Sequence, residues 1–174
     1  MTAYQPEQWH SLFEAIAGAA ATLAGLIFVA VSLNLREILR GRALPSVAAR
    51  SLAVLVALVL MCTFGLAPGQ QHVALGIEIL ALGVALFAGL MITTLHTMSA
   101  EEAAEDDGEV HEIRLSWKIG HVTIALQCTV PMIVAGASTW AGAGGGLYWA
   151  LAEIVCGLIA SVTYAWVLLV EILR

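Results

Sequence analysis

The run Leu23-Ala24-Gly25-Leu26-Ile27-Phe28-Val29-Ala30-Val31-Ser32-Leu33-Asn34-Leu35-Arg36 decides the fold. It is apolar apart from Ser32 and Asn34, and it stops on arginine. Extended upstream, it becomes an apolar stretch over about 11–35. At about 1.5 Å per residue a helix of that length crosses the roughly 30 Å of hydrocarbon in a bilayer. Four more stretches follow, at about 47–67, 72–97, 117–138 and 146–172. The pattern predicts an all-α integral membrane bundle of five transmembrane helices, built as one domain over 1–174.

Charge sets the expected orientation. When the five stretches are threaded through a membrane in order, all seven basic residues fall on one side. Arg36, Arg40, Arg42 and Arg50 cluster between the first and second stretches, Arg114 and Lys118 between the third and fourth, and Arg174 ends the chain. Short loops rich in Lys and Arg stay cytoplasmic. The N-terminus is therefore expected outside and the C-terminus inside. The arginines follow the first apolar run instead of preceding it, which suits a retained helix rather than a cleaved signal peptide.

Composition narrows the function classes. The chain is 60% hydrophobic and 11% charged, with a mean hydropathy of +0.91. No soluble domain hides that much apolar surface. The net charge of −6 and the absence of a basic patch speak against nucleic acid. Much of the acid lies in the 99–115 loop, as Glu101, Glu102, Glu105, Asp106, Asp107, Glu109 and Glu112. This is a solvated cytoplasmic segment or a docking site for basic partners. Cys62, Cys128 and Cys156 all fall inside apolar stretches, so they read as small packing residues; Cys62 and Cys156 lie at matching depths for a bridge. No nucleophile elbow, phosphate loop, HExxH or CxxC is present, and no cofactor is expected. Chemistry by a pair of intramembrane acids is the one catalytic reading left open.

In lipid, small residues mark the faces where helices approach. Gly18, Ala21, Gly25 and Ser32 form such a stripe on the first stretch, Ala81, Ala85, Ala88 and Gly89 on the third, and Gly157 and Ala160 on the fifth. These three helices are expected to form the packed centre. The second, with Leu52, Val54, Leu55, Val56, Leu58, Val59 and Leu60, is expected to face lipid. Each stripe also carries one acid: Glu14, Glu78 and Glu153. A charge in hydrocarbon is expensive and normally faces a bundle interior or a wet cavity. If the stripes converge, the three carboxylates form a cation- or proton-binding site near the outer side. The plain alternative is that each one serves packing at the outer interface.

Other polar groups carry narrower readings. Glu7, His10 and Glu14 share a helical face if the first helix reaches back that far, a set able to ligate zinc or iron, or simply an interfacial cap. His96 and His121 fall near the inner ends of neighbouring helices, where two imidazoles can hold a haem or merely sit at the interface. Pro131 removes the hydrogen bond to the Gln127 carbonyl. Gln127 and Pro131 are thus a candidate hinge or cavity lining. Trp9, Tyr148 and Trp149 read as outer interface anchors, and Ala141–Gly146 as a flexible turn.

Beyond these physical readings, Trp9, the segments Ala17-Gly18-Ala19-Ala20-Ala21 and Leu23–Leu35, Leu44-Pro45, Ala67-Pro68-Gly69-Gln70 and Gly76-Ile77-Glu78 resemble a family of small bacterial multi-pass membrane proteins, sometimes labelled modulators of the FtsH protease. The resemblance covers about the first half of the chain. It implies the bacterial cytoplasmic membrane and an accessory or regulatory role, and it brings no established active site. Two functions are therefore expected. The first is an oligomeric cation or proton channel, or a transport-related protein, using the outer carboxylates. The second is a non-catalytic accessory or regulatory subunit that binds another membrane protein through its stripes or through the 99–115 loop; a homo-oligomer is expected in either case. A haem- or metal-binding membrane protein is a distant third.

Overall fold

The computed structural model describes the backbone of residues 2–40, 44–102 and 111–173; side chains are described within 3–39, 44–96 and 122–170, except 169. The chain is 91% helical, with no strand among the described residues. Two 3-10 turns, Thr2–Tyr4 and Pro6–Trp9, precede α1 (His10–Leu33), α2 (Leu35–Arg40), α3 (Leu44–Gly65), α4 (His72–Glu102), α5 (His111–Ala141) and α6 (Leu147–Leu173). Among the described residues five helical segments are long and apolar enough to cross a membrane. This is a multi-pass membrane protein.

Local chemistry explains the breaks. Asn34 ends α1, its side-chain N–H donating back to the Ala30 carbonyl at 2.9 Å, so the backbone turns before α2. Pro45 stands in the first turn of α3, where a missing N–H costs nothing. Gly69 turns the chain between α3 and α4 at φ +71°, a region closed to most side chains. By contrast α5 passes through Pro131 without ending.

α3, α4, α5 and α6 close into a four-helix bundle in which each packs on its sequence neighbour and α6 returns to α3; α1 docks on the outside, against α3. The most extensive contact joins α4 and α5. It is made by glycine: a methyl group on Gly76 would overlap the Trp140 main chain, and one on Gly136 would overlap the Leu80 main chain. The buried positions of α1 are Phe13, Ala20 and Ile27, a seven-residue spacing that keeps one seam on α3. Phe13 fills the space over Gly65.

This order corrects the expected centre. α3 is the most buried span, with 56% of its membrane-length window enclosed, and α1 the least, with 11%. Leucine-rich composition misleads here for a physical reason. Lipid tails are as apolar as leucine, so Leu and Val gain little from choosing either the interior or the acyl chains. The α3 helix is central because it touches α1, α4 and α6. The small-residue stripes of α1 and α4 lie on the outside instead: Gly18, Ala21, Gly25, Ser32, Ala81, Ala85, Ala88 and Gly89 are all exposed. Only the α6 stripe, Gly157 and Ala160, is buried as expected.

Candidate functional site

The interior face shared by α3, α5 and α6 carries the buried polar groups Arg50, Ser51, Glu153 and Ser161. Glu153 stands on α6, one turn before Gly157, and is 0% exposed. Neither of its carboxyl oxygens has a hydrogen-bond partner among the described residues. The Met132 main chain, one residue past Pro131, lies alongside it without making a hydrogen bond of ordinary geometry. Gly157 leaves room for it. A β-carbon at that position would lie 3.4 Å from Glu153 Oε1 and 3.1 Å from a Leu58 methyl. The side chain is thus enclosed by α3, α5 and its own helix.

From Glu153 a line of buried polar side chains runs toward the arginine-bearing end. Cys128 on α5 lies within electrostatic range of Glu153 and Cys156. Tyr164 on α6 lies within range of Cys128 and of Arg50. Beside them Ser51 donates across to the Ser161 carbonyl at 3.3 Å, and Ser161 donates to the Gly157 carbonyl at 2.8 Å. Sequence order groups Arg50 with the loop arginines, yet it is 3% exposed inside α3. Its register was the available signal: it falls on the face of Val47, Val54 and Met61, at helical spacing.

Glu14 and Glu78 are not part of this site. Glu14 is exposed on the outer face of α1 together with Gly18, Ala21 and Gly25. Glu78 is half-buried and accepts a hydrogen bond from the Gln70 amide at 2.6 Å, within the α3–α4 turn region. α1 touches α6 only marginally, and α4 lies across the bundle from α6. The expected convergence of three carboxylates therefore does not occur within one chain. The reason is the helix order: α3 and α5 separate the helices that carry them.

The remaining candidates are dispersed. Glu7 is exposed on the 3-10 turn, off the α1 helix that carries His10 and Glu14, and no set of three metal-ligating side chains assembles among the described residues. His96 is exposed, and the His121 side chain lies outside the described residues, as does the acidic part of the 99–115 loop. Gln127 is exposed on the outer face of α5, and Pro131 is half-buried. All three cysteines are free thiols.

The opposite end of the bundle is capped by the N-terminal segment. The Gly145 N–H donates to the Tyr4 hydroxyl at 3.1 Å, and Trp9 meets Tyr148 edge-on at 5.1 Å. Gly142, Gly144, Gly145 and Gly146 hold φ between +52° and +109°. Positive-φ glycines shape this turn, and Gly146 admits the close approach of Ala3 and Tyr4. A polar cavity of about 440 Å³ opens beside this cap, lined by Tyr4, Glu7, Gln70 and His72.

Comparisons of the chain with protein-family models, with curated proteins and with solved structures find no match.

Proposed function

We propose that this protein is a non-catalytic membrane subunit that assembles with copies of itself through the uncovered face of α1, its arginine-bearing end in the cytoplasm of a bacterial cell. One observation carries the reading: Glu14, Gly18, Ala21 and Gly25 form a stripe turned away from the chain's own bundle, with nothing within 4 Å of where a β-carbon on Gly18 or Gly25 would stand. Small residues are where helices meet in lipid, and a carboxyl beside acyl chains is unfavourable. A second helix laid on this face relieves both conditions. The orientation rests on the arginine distribution, and the accessory role on the family resemblance.

The test is the mass of the purified protein in nanodiscs or mild detergent. Wild type is expected to be oligomeric, with Ala21→Cys cross-linking between copies, and Gly18→Ile with Gly25→Ile is expected to give folded monomers. A wild type that is monomeric at every concentration, with no cross-link, ends the proposal. A different membrane protein that co-purifies, and is lost with the same substitutions or with Gly/Ser replacement of 99–115, identifies a heterologous partner instead.

A second reading, proton transport, is favoured by the enclosed Glu153 alone. It predicts a flux in liposomes that Glu153→Gln abolishes while leaving assembly intact.

A further inference from the structure

We propose that Glu153 is a proton-binding site: its carboxyl takes a proton as its ligand inside the bundle and excludes metal cations. The inference rests on the enclosure of this side chain and not on how the chain assembles or whether it transports.

Three observations carry it. The side chain is 0% exposed, so water does not solvate a charge there. Neither oxygen has a hydrogen bond of ordinary geometry among the described residues, and the Met132 main chain alongside offers a charge only slight compensation. Among the described residues no counter-charge stands nearby. Arg50, the described cation on the same interior face, lies beside Tyr164, some three turns further along α6, or about 16 Å. A buried carboxyl in that situation is tolerated as the neutral acid.

The surroundings decide the ligand. A sodium or calcium ion needs a shell of several oxygen ligands. Around Glu153 the structure places the Leu58 methyls, Gly157, the thiol of Cys128 and the Met132 main chain. Among the described residues no group of three acidic, imidazole or thiol side chains gathers at this point. A proton needs none of these ligands. The titratable and charged groups on the elements that enclose the carboxyl are, among the described residues, Arg50 and Cys62 on α3, Cys128 on α5, and Tyr148, Cys156 and Tyr164 on α6. Of these, Cys128 is the one shown within electrostatic range of the carboxyl, and a thiol supplies no fixed positive charge.

The experiment is infrared spectroscopy of the full chain in liposomes, in water and in deuterium oxide, at about pH 7, where an exposed glutamate is ionised. The expected result is a neutral-carboxyl C=O stretching band that moves on deuteration. Glu153→Gln, a neutral isostere, removes it. Glu153→Asp, which keeps an acid at a different reach, shifts it. Saturating sodium, potassium or calcium leaves it unchanged. Wild-type protein showing only carboxylate bands at that pH overturns the proposal, as does a neutral band retained in Glu153→Gln. A band lost on adding a cation overturns it in favour of a metal site.

Discussion

α1 and α6 carry the same signature and meet opposite fates. Each has a glutamate near the arginine-free end, followed at helical spacing by small residues: Glu14 with Gly18 and Gly25, Glu153 with Gly157 and Ala160. On α6 the stripe is sealed against α3 and α5, and on α1 it is left bare. The pattern therefore marks a face built for close helix approach without saying whose helix approaches. In water the hydrophobic effect would settle the matter, because an apolar face left open is costly. In lipid that force is absent, and a contact face can wait for another molecule.

Substitutions can break this contrast, and the largest effect is expected outside both stripes, at the glycine contact that holds the bundle shut. Gly136→Leu forces a side chain into the Leu80 main chain. A cost of about 3 kcal/mol or more is expected, at the upper end for overpacking, read as loss of the folded fraction in a reversible detergent unfolding titration. Gly157→Leu crowds Leu58 and Glu153 and is expected to cost about 1–3 kcal/mol in the same assay. Tyr4→Phe removes the acceptor of the Gly145 N–H. About 1 kcal/mol is expected, with faster proteolysis of the N-terminal segment as its sign. The smallest effect sharpens the comparison most. Gly25→Leu has open space around it and is expected to change protomer stability by less than about 0.5 kcal/mol. If Gly25→Leu unfolds the protomer as Gly157→Leu does, the two stripes are not different in kind.

The sequence was most informative where the physics is local. Glu153, Gly157, Ala160 and Tyr164 share one face by helical period alone, and all four are buried. Arg50 shows the limit of a rule applied without register. Counting it as a loop charge fitted the positive-inside pattern, while its spacing with Val47 and Val54 placed it on the inward face. Glu78 shows a different limit. Its partner Gln70 lies in the turn, and a turn's side-chain geometry is not encoded in helical periodicity.

Length and hydropathy by themselves determined that five segments span a membrane as helices, since a backbone in hydrocarbon must satisfy its hydrogen bonds internally. They also determined that each carboxylate shares a face with small residues, because the helical repeat allows no other arrangement. Only the tertiary structure decided that α3 is central, that α1 rides outside with Glu14 uncovered, and that Glu153 alone of the three is enclosed. Those choices depend on which surfaces interlock, as Gly76 and Gly136 do between α4 and α5, and side chains as oily as their solvent leave no trace of that choice in the order of residues.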